Sequence, residues 1–170
     1  MKYLSKEAMS RQRGGVIVKI LLFIPLLVLL VFGFYEGRKA YWDYQVKAMC
    51  EKDGGPVVQE KVPIPNKYID KDGIIHIPAK PANPNRPLSF EAKPTDAFYY
   101  EWINEPIKIG YLAVGKHTLN IIRSSDNKIL GSMVVYSRSG GDFPTFAHPS
   151  SISCPDTKDQ PDLLKLVFLK

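Results

Sequence analysis

Reactive chemistry is sparsely supplied in this chain, which has 2 cysteines, 2 tryptophans and 3 histidines. Cys50 and Cys154 are too far apart for the Cys-x-x-Cys of a redox dithiol. His76, His117 and His148 lack the His-x-x-x-His spacing of a metal site. There is no Gly-x-Ser-x-Gly elbow to expose a nucleophilic serine. No glycine-rich loop is placed to cradle phosphate, because Gly14-Gly15 precede a long apolar run and Gly54-Gly55 follow a helical stretch. Internal repeats and low-complexity tracts are also missing. The absence of any Asn-x-Ser/Thr acceptor favours a bacterial over a eukaryotic secretory origin. No catalytic, cofactor-binding or metal-ligating residue is therefore expected.

Charge excludes a further class. The chain carries 23 basic and 17 acidic side chains, net +6. Five of the bases and one acid fall in residues 1–35, so residues 36–170 hold 18 and 16. The basic balance belongs to the N-terminus and forms no patch on the remainder, which argues against a nucleic-acid partner.

What the chain does have is residues 16–35, VIVKILLFIPLLVLLVFGFY, interrupted only by Lys19. Twenty helical residues at about 1.5 Å each reach roughly 30 Å, the thickness of a bilayer's hydrocarbon core. The run is longer than a signal peptide's core and ends without a small-residue cleavage site, so an uncleaved signal-anchor is expected. Cys50 does not fit a lipid-anchored cysteine, since Lys47, Ala48 and Met49 precede it. Lys2, Lys6, Arg11 and Arg13 flank the run on one side against the lone acid Glu7, while Glu36, Arg38, Lys39 and Asp43 balance on the other. Basic flanks stay in the cytoplasm. The expected arrangement is a bacterial inner-membrane protein with a cytoplasmic tail at 1–15, a span at 16–35 contacting lipid, and a periplasmic C-terminal body. Pro25 is expected to kink the span, and Tyr35, Tyr41 and Trp42 to sit at its interface.

Beyond the membrane the helix should continue as a stalk within residues 36–55, with Tyr41, Tyr44 and Ala48 at helical spacing, until Gly54-Gly55 end it. Both cysteines then lie in an oxidising compartment, and a structural Cys50–Cys154 disulfide closing a loop of about one hundred residues is expected. Residues 56–170 suffice for one core. Fourteen prolines argue for short strands and ordered loops over a helical bundle.

Strands are expected at 57–62, at 98–103, at 107–114 beyond Asn104-Glu105-Pro106, and in a hairpin of 117–124 with 128–138. A tight turn is expected at Asp70-Lys71-Asp72-Gly73 and an extended proline-rich loop at 78–87. The last ten residues suit a short helix begun by Pro161 or a terminal strand. The fold class is thus α+β: one N-terminal transmembrane helix running as a stalk into a small antiparallel β-rich domain closed by one disulfide.

Residues 137–155, SRSGGDFPTFAHPSSISCP, read as a long loop, and long loops often bind partners. Arg138, Asp142 and His148 are its candidate contact groups; the alternative is an architectural loop stapled by Cys154. Cys50 with Gly54-Gly55, then Gly140-Gly141-Asp142, His148-Pro149-Ser150-Ser151 and Cys154-Pro155, resembles a group of small uncharacterised bacterial membrane-anchored proteins, some of them prophage-associated. That resemblance implies a disulfide-stapled extracytoplasmic domain and supplies no catalytic residues.

Ser150 and Ser151 beside His148 suggest a hydrolase only weakly, since sequence neighbours rarely share triad geometry. Glu101 and Glu105 fall in strand and turn, as solvated charges rather than a glycosidase pair. The expected function is a membrane-anchored binding or structural module for an unidentified protein or envelope partner, prophage-related if the resemblance holds. The alternatives are a pilin-like subunit and a small envelope enzyme. A pilin shares the basic leader, the glycine, the apolar helix and the disulfide-bearing sheet. It expects Phe-Thr-Leu-Ile-Glu after its leader glycine, however, where this chain has Val16-Ile17-Val18-Lys19.

Overall fold

The computed structural model describes residues 4–80, 91–93, 95–143, 149–156 and 162–169. A single helix, α1 (Leu4–Asp53), takes in tail, span and stalk without interruption, with Pro25 inside it. Residues 21–34 of α1 are all exposed. The helix is long and apolar enough to cross a membrane.

The remainder forms β1 (Gly55–Val58), β2 (Val62–Pro63), a 3₁₀ turn (Asn66–Tyr68), β3 (Phe98–Lys108), β4 (Leu112–Arg123), β5 (Lys128–Gly140), β6 (Ser151–Cys154), α2 (Leu163–Val167) and β7 (Phe168–Leu169). The main sheet runs β1-β5-β4-β3, and β6 also pairs with β5. β1 and β6 lie end to end along one edge of β5: β1 opposes 131–134 and β6 opposes 136–139, both antiparallel. β2 and β7 form a separate parallel pair. The fold class is α+β as expected.

Alternation along the strands divides the sheet into two faces. Met133 and Val135 with Leu119 and Ile121 point to one core, completed by Phe98, Leu163, Val167, Phe168 and the apolar residues of 62–77. Val134 and Tyr136 with Leu112 and Val114 point to the other, where α1 supplies Trp42, Val46, Met49 and Cys50. The outer half of α1 is therefore one layer of the domain. Its end is fastened twice. Cys50 is bonded to Cys154, with Cα atoms 5.8 Å apart. The Tyr136 hydroxyl donates to both carboxylate oxygens of Asp53 at 2.8 and 2.9 Å. Gly54 follows because a Cβ there would lie 2.7 Å from the Cys50 Sγ and 2.6 Å from the Cys50 carbonyl oxygen.

Several expected boundaries need correction. The strand expected at 57–62 is split into β1 and β2. Asn104-Glu105-Pro106 does not divide two strands; β3 runs through it, and the break comes at Ile109-Gly110-Tyr111. Pro106 is tolerated because β3 is an edge strand, with a bulge directly after it. Of the loop expected at 137–155, residues 137–140 belong to β5 and 151–154 form β6. The chain end is both helix and strand, α2 followed by β7. Asp70 organises the expected turn, accepting from the Asp72 and Ile74 backbone N–H groups at 2.9 and 2.8 Å. Most of the proline-rich segment, 81–90, lies outside the described residues.

Candidate functional site

Arg138 lies on β5 with the parity of Val134 and Tyr136, so its side chain faces α1. It is 1% exposed. Its Nε donates to Asp43 Oδ1 at 2.7 Å, and its Nη1 donates to the Gly140 carbonyl, the Ser150 carbonyl and the Ser150 hydroxyl at 2.7, 3.0 and 2.8 Å. Asp142 accepts from Lys39 Nζ at 2.8 Å, from the Ser150 backbone N–H at 2.6 Å and from the Ser150 hydroxyl at 2.8 Å. The Lys39 ammonium, then the two Ser150 donors, hold the Asp142 carboxyl well below the usual carboxylate range. The same hydrogen bond raises the lysine.

Lys39 and Asp43 stand one turn apart on α1 with opposite charge, and Asp142 and Arg138 meet them with the complementary signs. A helix rotated or slid by one turn would set like charges together, so the pairing specifies how α1 docks. Arg138 is therefore not a contact group open to a partner, because the docked helix covers it. Asp142 is also built into this clamp. His148 lies outside the described residues.

The opposite face carries a second constellation. β3, β4 and β5 each bring one polar side chain to it: Asn104, His117 and Ser137. His117 Nδ1 lies 2.7 Å from Asn104 Oδ1, and its Nε2 lies 2.9 Å from Ser137 Oγ. An amide oxygen only accepts, so Nδ1 is the donor to Asn104, and in the neutral ring Nε2 would be the acceptor of the serine hydroxyl. Gly115, opposite Ser137 in the ladder, leaves open the space beside the imidazole. A Cβ at Gly115 would stand 3.4 Å from the His117 Nε2. The three residues line a shallow groove of about 290 Å³ together with Ala113, Gly115 and Ser139.

The order serine, histidine, amide is that of a nucleophile, its base and an orienting group. Acyl transfer also needs paired donors for an oxyanion, and here Ser137 is flanked by partner strands on both edges, Gly115 on one and Ser153 on the other. What the arrangement offers is a polar relay set beside small side chains.

Next to the groove, β3 forms the sheet's outer edge. Ala79 bridges to Tyr100, and beyond that point no described strand pairs with it. Residues 102–107 are all exposed, including Trp102 at 46% and Ile107 at 43%. Glu101 is bonded to Lys80 at 3.0 Å and His76 to Asp70 at 2.9 Å, both in local surface roles. Among the described residues no group of three or more His, Cys, Asp or Glu side chains is placed to hold a metal ion. No protein-family model matches the chain, and neither a curated protein nor a solved structure is significantly similar to it.

Sequence reasoning missed the Asn104–His117–Ser137 relay and the open edge of β3. The first needed the exact strand register. The second was hidden by reading Asn104-Glu105-Pro106 as a break.

Proposed function

We propose that this protein is a single-pass bacterial inner-membrane protein whose periplasmic domain binds an extended segment of another protein along β3. The outer edge of β3 carries the proposal, because beyond Tyr100 no described strand pairs with it and Trp102, Ile103 and Ile107 there are exposed. Strand addition uses such an edge for affinity and alternate side chains for selectivity. On one face of that edge, Trp102 and the groove of His117 and Ser137 supply an aromatic and a polar contact.

An uncleaved anchor is supported by the continuity of α1. Its exposed apolar stretch and its buried Val46 and Cys50 belong to one unbroken helix. Photo-crosslinkers placed singly at positions 102–107 of the full chain in cells test the binding reading. Strand addition predicts adducts to one partner at alternate positions, with the disulfide intact. Uniform labelling, or none, overturns it.

The pilin-like reading has one observation in its favour: α1 first runs bare and apolar, then lays its outer half on an antiparallel sheet. Lys19 stands against it. N-terminal sequencing of the membrane-extracted protein separates the two readings, because only a pilin-like subunit begins after Gly15.

A further inference from the structure

The end of the sheet nearest the apolar stretch of α1 is itself apolar. The Phe143 ring lies 5.9 Å from Phe32 and 5.8 Å from Tyr35, and the Tyr111 ring lies 6.2 Å from Tyr35. The Tyr111 hydroxyl donates to the Asp142 carbonyl at 2.8 Å, holding the two segments together. Between β3 and β4 the turn Ile109-Gly110-Tyr111 projects outward, with Ile109 at 82% exposure and Tyr111 at 58%. No large apolar side chain among the described residues is more exposed than Ile109.

The level of this cluster decides what covers it. Phe32 and Tyr35 are the last turn of the apolar run, and three residues of helix rise only about 4.5 Å. A bilayer deep enough to bury residues 16–35 therefore reaches Phe143 and the turn beside it. The next charged contacts lie just above: Lys39 with Asp142 at 2.8 Å, and Lys108 over the Trp42 ring at 5.6 Å. Apolar tip, then aromatic rings, then paired charges is the order expected across the boundary between acyl chains and headgroups.

We infer that the Ile109-Gly110-Tyr111 turn and Phe143 form a second, non-spanning membrane contact that seats the domain on the lipid surface. The occupant of this apolar tip is the headgroup and upper acyl region of phospholipid. The inference rests on the reading of α1 as a membrane span. Its consequence is orientation, since a domain held by both α1 and this turn cannot swing about the stalk. β3, whose end leads into the turn, then rises from the membrane at a fixed position.

The full chain reconstituted in phosphatidylcholine–phosphatidylglycerol vesicles, with lipids brominated along the acyl chain, tests this. In a Trp42→Phe, Trp102→Phe background, a single indole is introduced by Ile109→Trp, by Phe23→Trp within the span, or by Ile74→Trp in the 70–74 turn. The expected result is quenching at positions 23 and 109, strongest at 109 when the bromines lie near the headgroups, and none at 74. If position 109 behaves like 74 while 23 is quenched, the lipid seat is refuted and the span stands. If 23 is also unquenched, the span reading fails and this inference with it. Blue-shifted but unquenched fluorescence at 109 means that protein covers the turn, which also overturns the proposal. Ile109 is exposed enough for replacement to leave folding intact, and resistance of the Cys50–Cys154 pair to alkylation verifies it in each variant.

Discussion

Removing the Arg138 guanidinium should unseat α1 from the sheet. The side chain is 1% exposed, while its partner Asp43 is 27% exposed. Arg138→Met keeps much of the apolar stem but strips the Gly140 and Ser150 carbonyls of their buried donor and leaves Asp43 unpaired. Unsatisfied acceptors cost about 1–3 kcal/mol each, and breaking a buried pair costs about 3–5 kcal/mol in all. With Asp43 partly reached by water, the lower end applies, about 3 kcal/mol. Asp43→Ala should cost less, about 2 kcal/mol, because three oxygen acceptors still surround the cation. The double variant should then fall short of the sum by more than about 1 kcal/mol, as contacting residues do. Urea titration of the full chain in detergent micelles measures these shifts. Trp42 is the reporter, since it sits on α1 at the docked face. If Arg138→Met shifts stability by less than about 1 kcal/mol, or the two substitutions simply add, the clamp contributes nothing to docking and the reasoning fails.

Cys154→Ser opens a loop spanning 104 residues and should lower stability by about 4–5 kcal/mol on the chain-entropy account; the same titration under non-reducing conditions reads it. Asp142 has a folded pKa well below its ordinary value, chiefly through Lys39. Its contribution is therefore complete above about pH 4 and is lost as pH falls toward the depressed value. Asp142→Asn should lower stability at neutral pH and flatten the acid limb of the unfolding midpoint between about pH 4 and 2; an unchanged acid limb would exclude the role. A reporter fused after Lys170 should work only if it requires an extracytoplasmic location, given the basic residues ahead of Val16. Activity of a cytoplasm-only reporter there would reverse the orientation.

Much of the frame was legible because it rests on one-dimensional signals. An apolar run of twenty residues broken only by Lys19 gives a helix long enough to cross a membrane, Gly54-Gly55 end it, and the alternation on either side of Ser124-Ser125-Asp126-Asn127 specifies a hairpin. In the structure that hairpin is longer than expected at its open end, Leu112–Arg123 with Lys128–Gly140, since Gly115, Ser137 and Ser139 weaken the apolar pattern without breaking the ladder. The disulfide followed from the cysteine count and the expected compartment. Pairing of Lys39 with Asp142 and of Asp43 with Arg138 was not legible. A charged residue in a strand reads as solvent-facing until something is known to cover it, and here the cover is a helix about one hundred residues earlier in the chain.

Register explains why the groove escaped notice. At the turn, Arg123 opposes Lys128 and Ile122 opposes Ile129, but Ile121 opposes Gly131, leaving Leu130 as an extra residue. Without that bulge His117 would face Val134, and even-numbered residues of β5 would share its side of the sheet. Arg138 would then accompany His117, and Ser137 would turn toward α1. A one-residue slip exchanges faces in this way because side chains alternate with a period of two. The bulge is fixed by tertiary contacts. The Leu130 carbonyl accepts the backbone N–H groups of both Gln59 and Glu60, at 2.8 and 3.0 Å. Gly131 lets the strand pass under α2, where a Cβ would meet Val167 Cγ2 at 2.5 Å. A segment more than seventy residues upstream thus decides which polar side chain joins the buried clamp and which faces the groove. If β3 takes up a partner strand as proposed, its selectivity is to be sought on the side of His117 and Ser137, because Arg138 on the other side is committed to holding the helix.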